Sequence, residues 1–221
     1  MVNTEAYQKL RSELDPKGVT LVAVSKIKPV SDIKQLYDLG QRDFGENYVQ
    51  ELVEKQPQLP ADIRWHFIGH LQSNKVKYIA PFVHLIHGVD GQKLLKEINK
   101  QAAKVNRVIP VLLQVYIAKE ESKFGLDAAE LEEVLTSAET ASFRNIRIEG
   151  LMGMASFTEN TEAVREEFSI LKGLADRWAG HITENIQLRT LSFGMSGDYP
   201  LAIEEGSNMV RIGSLLFGAR N

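Results

Sequence analysis

Thr20-Leu21-Val22-Ala23-Val24-Ser25-Lys26 is the stretch on which the fold turns. Thr20–Ser25 reads as a fully buried strand, and a lysine closes it. Short apolar or β-branched runs recur at Gln41–Gly45, Arg64–Gly69, Val83–Val89, Val108–Ile117, Arg147–Met152, Gln187–Phe193 and Met209–Gly213, which makes eight. Helical patterns lie between them. In Gly91–Val105 the residues Leu94, Leu95, Ile98, Ala102 and Val105 share one face. In Thr161–Trp178 the residues Val164, Phe168, Leu171, Ala175 and Trp178 form a stripe. Asp127, with Glu130 three residues on, reads as a helix cap before Leu131, Val134 and Leu135.

Strands joined by helix-sized connections run parallel. Eight of them close most economically into a single α/β domain over residues 1–221, a (β/α)8 TIM-type barrel. Thr4–Leu14 adds an extra N-terminal helix within residues 1–15. An open doubly wound sheet is the alternative, weakened by the lack of a G-x-G-x-x-G turn after the first strand.

The 221 residues are 43% hydrophobic and 25% charged, as in an ordinary soluble globular protein. The chain has no cysteine, so thiol nucleophiles, thiolate metal sites and disulfides are excluded. No apolar run reaches the roughly 18 residues of a membrane span. The N-terminus lacks the pattern of a signal peptide. These features fit a cytoplasmic protein. A net charge of −3, with the two signs mixed, argues against nucleic-acid binding but not against one anion pocket.

In a barrel, chemistry sits at the C-terminal ends of the strands, and Lys26 is at such an end. An ammonium placed directly after a buried strand is partly desolvated. That environment frees the amine for attack on a carbonyl. The seventh strand leads into Phe193-Gly194-Met195-Ser196-Gly197-Asp198 and the eighth carries Arg211-Ile212-Gly213-Ser214. Gly194, Gly197 and Gly213 let backbone approach a ligand, while Ser196 and Ser214 offer hydroxyls, so these loops suit a phosphate. A phosphorylated aldehyde would satisfy both the lysine and the cup. Arg211, inside a strand, needs an acceptor, and a cofactor ring nitrogen is one.

Plainer readings stand beside these. Lys26 could be a solvated strand terminator, and the Gly-Ser loops simple turns. Arg211 could pair with Glu204 or Glu205. Met152 and Met154 could be packing at the barrel mouth. Glu46 could be a general base or an ion-pair partner. His66 and His70 are four apart, but Gly69 and a strand end intervene, so no metal site is expected. His84, His87 and His181 form no ligand pattern.

Six stretches in this order resemble the pyridoxal phosphate homeostasis protein family (the YggS/PROSC-like proteins), which is similar to the barrel domain of alanine racemase standing alone. They are Ala23–Lys26, Phe44–Glu51, Trp65–Lys75, Gly150–Met152, Gly194–Asp198 and Val210–Gly213. The resemblance implies that Lys26 holds pyridoxal 5′-phosphate (PLP) as a Schiff base. It implies that Ser196 and the Gly213–Ser214 turn meet the phosphate, that Arg211 faces the pyridine nitrogen, and that Asn47 and Met152 lie near the cofactor. Three residues depart from the family pattern: Tyr116, Phe193 and Asn208.

An arginine on the ring nitrogen makes a weaker electron sink than a carboxylate would. The chain ends at Asn221, so no second domain is expected to close the site. Tyr48, Tyr116 and Tyr199 are the local candidates for an opposing acid or base. The expectation is a monomeric cytoplasmic PLP homeostasis protein with little or no turnover, serving PLP itself and PLP-dependent apo-enzymes, with no membrane or nucleic-acid partner. The alternative is a PLP-dependent amino-acid racemase of the alanine racemase type. A cofactor-free lysine aldolase is a third, more distant class.

Overall fold

The computed structural model describes residues 2–118 and 124–218; the outermost residues of the expected domain, Met1 and Asn221, lie outside them. Eight parallel strands close a barrel in sequence order. They are β1 (Thr20–Val24), β2 (Asp43–Glu46), β3 (Arg64–Phe67), β4 (Leu85–Val89), β5 (Ile109–Gln114), β6 (Ile146–Met152), β7 (Ile186–Ser192) and β8 (Met209–Ile212). The helices are α1 (Thr4–Leu14), α2 (Val30–Asp38), α3 (Val49–Lys55), α4 (Val76–Ile79), α5 (Gln92–Lys104), α6 (Ala128–Thr136), α7 (Ala138–Ser142), α8 (Thr161–Trp178), α9 (Tyr199–Glu204) and α10 (Ser214–Phe217).

All eight expected strands exist, and several ladders stop short of the apolar runs. Ser25, Gly69, Phe193 and Gly213 lie past the ends of their ladders. There the chain turns to build the barrel mouth. Val83 belongs instead to the end of the preceding turn, where its N–H donates to the Ile79 carbonyl at 2.9 Å.

The extra helix α1 is capped by Asn3, whose side chain accepts from the Ala6 N–H at 3.0 Å. It buries Tyr7, Leu10 and Leu14, and the Asn3 N–H donates to the Leu216 carbonyl of α10 at 2.8 Å. Asp127 and Glu130 form the expected capping box at the start of α6. On α8 the stripe buries Val164, Phe168, Leu171 and Ala175.

Two apolar compartments result. The large one fills the shell between barrel and helices. The small one is Val22, Leu85, Leu112, Met152 and Met209, with Met154 packed against it. These residues alternate along their strands with members of the outer shell, so they face the barrel axis. Among the described residues no helix is long and apolar enough to cross a membrane.

Candidate functional site

Two residues past the end of β1, Lys26 stands half-buried in a turn. Its neighbours are held from behind. The Ser25 hydroxyl donates to Glu46 Oε1 at 2.6 Å. The Ser25 carbonyl accepts from Lys55 Nζ at 2.8 Å. Ile27 has φ of 62°, left-handed and strained for a β-branched residue. Its N–H donates to Glu51 Oε1 at 2.6 Å. Lys55 closes the network by donating to Glu46 Oε1 at 2.8 Å and Glu51 Oε1 at 2.5 Å. Burial raises the Glu46 pKa, and the Lys55 ammonium works against that rise. Glu46 is therefore an ion-pair partner, and the turn carrying Lys26 is clamped on both sides of the lysine.

The turn opens into a cavity of about 620 Å³, a volume ordinary for a small-molecule site. Lys26, Lys28, Asn47, Ser196, Asp198, Arg211, Gly213 and Ser214 all line it. Three of these eight are cationic and one is acidic, so the cavity favours an anion.

Asn47 follows β2 and is fixed by a close approach: a Cβ on Gly69 would lie 2.3 Å from the Asn47 carbonyl oxygen. The buried Asn47 Oδ1 has no protein partner. On the opposite side, Met195 N–H donates to Asp198 Oδ1 at 2.6 Å, and Gly213 N–H donates to Ser196 Oγ at 3.3 Å. Gly194 supports that loop with φ of 95°, and its missing Cβ would sit 2.5 Å from the Ala202 Cβ. Burial raises the Asp198 pKa, against the pull of the Met195 N–H and the Arg211 charge.

Arg211 is buried beneath the cavity. It donates through Nη1 to the Ser192 carbonyl and hydroxyl, both at 2.7 Å, and through Nη2 to the Gly153 carbonyl at 3.1 Å. Burial pushes its pKa down to about 10, opposed by the charge of Asp198. The suggested pairing with Glu204 or Glu205 does not occur, because both carboxylates bond to Arg165 on α8.

Met152 is fully buried in the small inner compartment, and its place in the cavity wall is taken by Met154. The departures from the family pattern lie away from the cavity. Phe193 packs on Phe168, ring centroids 4.8 Å apart. Asn208 accepts from the Leu191 N–H at 2.8 Å. Tyr116 is not among the cavity-lining residues.

A small phosphorylated aldehyde fits this donor set. An amine, an arginine, a serine hydroxyl at a glycine turn and an orphaned amide oxygen converge on one anion-favouring cavity. Among the described residues Asp43, His66 and His84 also bring ligand-type atoms within 4.8 Å of one another. Both Asp43 oxygens already accept from Arg64, at 2.7 and 2.5 Å, so that carboxylate already has a cationic partner.

The family described as "Alanine racemase, N-terminal domain" matches residues 4–221. The chain is 43% identical over 201 residues to "Pyridoxal phosphate homeostasis protein" of Aquifex aeolicus, covering 90% of this chain and 86% of that one. It superposes on PipY of Synechococcus elongatus, solved with PLP bound, with a TM-score of 0.87 at 36% identity, covering 97% and 99% of the two chains. Alanine racemase of Bartonella henselae shares the fold alone, with a TM-score of 0.71 at 19% identity over 95% of this chain and 56% of that one.

Proposed function

Because this chain belongs to the pyridoxal phosphate homeostasis protein family, we propose that it binds PLP in the cavity at the barrel mouth and takes part in PLP homeostasis. The observation that carries the reading is the convergence of Lys26, Ser196, Gly213 and Arg211 on one cavity. Bound there, PLP would supply an aldehyde that condenses with an amine and a ring that draws electrons from the adduct. Lys26 would provide that amine and so tether the cofactor at the barrel mouth. Ser196 and the Gly213–Ser214 turn would hold the phosphate. Arg211 would serve as the donor to the ring, and the unpartnered Asn47 oxygen would be the acceptor on the other side. Met152 supports this floor from below through Met154.

Little or no turnover goes with this site. A guanidinium donor leaves the ring a weak electron sink. None of Tyr48, Tyr116 and Tyr199 lines the cavity, and the Tyr199 hydroxyl is engaged with Glu13 Oε2 at 3.1 Å. We place the protein in the cytoplasm as a monomer that holds PLP reversibly and serves PLP-dependent apo-enzymes.

The test is a visible spectrum of purified protein mixed with PLP, before and after borohydride. Wild type should turn yellow and be fixed irreversibly, and Lys26→Ala should do neither. Undiminished affinity and the same spectrum in Lys26→Ala would overturn the assignment. Exchange of the α-hydrogen of amino acids, lost in Lys26→Ala, would establish the racemase alternative instead.

A further inference from the structure

The barrel interior is not wholly apolar. Beside the small apolar compartment runs a file of polar side chains from the N-terminal end of β2 to the cavity floor. Arg64 donates to Asp43 through Nε at 2.7 Å and Nη2 at 2.5 Å. Asp43 Oδ1 lies 2.9 Å from His66 Nε2. His66 Nδ1 lies 2.9 Å from His87 Nε2. His87 Nδ1 lies 3.0 Å from Ser192 Oγ. Ser192 Oγ accepts from Arg211 Nη1 at 2.7 Å. His66, His87, Ser192 and Arg211 are all under 5% exposed, so water does not complete these bonds.

The direction of each bond follows from its ends. Burial opposes the Asp43 charge, but hydrogen bonds from Arg64 and His66 outweigh it and hold the carboxyl well below the usual range. Asp43 can then only accept, so His66 carries its proton on Nε2. Burial keeps His87 neutral, and the permanent charge of Arg211 works in the same direction. With one ring proton, His87 either donates from Nε2 to His66 or donates from Nδ1 to Ser192. In the second case the serine oxygen would receive hydrogens from both His87 and Arg211 and turn its own away from both. In the first case every group has its partner: Arg211 donates to Ser192, Ser192 to His87, His87 to His66, and His66 to Asp43.

We infer that this one-way wire, Arg211–Ser192–His87–His66–Asp43, connects the buried guanidinium to a carboxylate at the far end of the barrel and sets Arg211 as a fixed donor toward the ring nitrogen. The hydrogen-bond partners of Arg211 are uncharged, and the near carboxylate, Asp198, lies on the cavity side. The wire presents Ser192 Oγ to Arg211 as an acceptor only, so the guanidinium keeps its protons and the ring nitrogen is offered a hydrogen bond. Ser192, His87, His66 and Asp43 are positioning residues that act through Arg211. This inference rests on the PLP reading for its consequence, but not for the direction of the wire.

The direction is tested on the protein without PLP. Two-bond 15N–1H spectra distinguish histidine tautomers, and the chain has five histidines. At pH 7.5 both His66 and His87 should be neutral with the proton on Nε2. A proton on His87 Nδ1, or a His66 imidazolium, overturns the wire. In the presence of PLP, His87→Leu should keep the Lys26 adduct, shift its visible band and weaken PLP binding by about tenfold, the effect of losing one charge-assisted bond. Ser192→Ala should repeat this, and Ser192→Thr, which keeps a hydroxyl, should restore it. Unchanged band and affinity in both His87→Leu and Ser192→Ala overturn the coupling. A wild-type protein that takes up no PLP sinks the cofactor reading and leaves the tautomers to decide the wire.

Discussion

Replacing Lys55 by methionine should destabilise this protein more than removal of any surface lysine. The side chain of Lys55 is 8% exposed and that of Glu46 is 0% exposed. Methionine keeps much of the apolar stem and deletes the ammonium, which leaves a carboxylate buried with only the Ser25 hydroxyl to answer it. Breaking a buried ion pair by removing one partner costs about 3–5 kcal/mol. For a chain of this size each kcal/mol lowers Tm by roughly 2–4 °C, so the expected drop is roughly 6–20 °C. Lys34, whose pair with Asp38 is 48% and 57% exposed, is the control. Lys34→Met should cost less than about 1 kcal/mol. The sign with pH follows from Glu46, whose pKa is raised by burial even with Lys55 present. A carboxylate whose folded pKa is raised costs stability progressively as pH climbs above its ordinary unfolded value, and the cost is complete once the folded group is ionised. The deficit of Lys55→Met should therefore be greatest at neutral and alkaline pH and shrink as acid protonates Glu46. Adding Glu46→Gln to Lys55→Met should recover about half the loss, because the orphaned charge is gone. Calorimetric melting of the four proteins at pH 5 and pH 8 is the assay. A drop no larger than that of Lys34→Met, or no recovery in the double variant, would refute the clamp.

Two further expectations follow from the same geometry. His87 stays neutral in the fold while an unfolded histidine protonates near pH ~6.5, so stability should fall as pH drops below that value, by about 1.4 kcal/mol per pH unit from this residue. Urea denaturation at pH 7.5, 6.5 and 5.5 measures it, and a flat or rising profile on acidification contradicts it. Gly69→Ala should lower Tm and weaken PLP binding at least about tenfold, because the new Cβ forces the Asn47 backbone away, while Gly173→Ala on α8, with nothing within 4 Å, should be neutral or stabilising. Equal behaviour of the two variants in melting and PLP titration would contradict the close approach.

The barrel was legible because its strands are short apolar runs and its longest helices carry clean stripes, as in Thr161–Trp178, which is α8 residue for residue. Strand ends are less legible, since Ser25 and Gly213 continue an apolar run although the strands end one residue before them. Lys26, Asn47, Ser196, Arg211, Gly213 and Ser214 do meet at one cavity, because strand ends of a barrel share a face. Met152 lies in the inner apolar compartment, and Met154, two residues on and packed against it, lines the cavity. Lys55 was invisible because its partners Ser25, Glu46 and Glu51 come from three segments. Histidine spacing along the sequence speaks only to metal ligation and is silent on the file inside the barrel. Strand parity carries that signal: His87 lies two residues after Leu85, Ser192 pairs with Met209 and Arg211 lies two residues after it, so all share the inward face.

The most direct test of the central claim is peptide mass spectrometry of PLP-treated, borohydride-reduced protein. Lys28 also lines the cavity, and Lys55 lies behind it. The account predicts a single reduced pyridoxyl adduct on Lys26, with Lys28 and Lys55 unmodified. An adduct centred on Lys28 or Lys55, or none on Lys26, would contradict it.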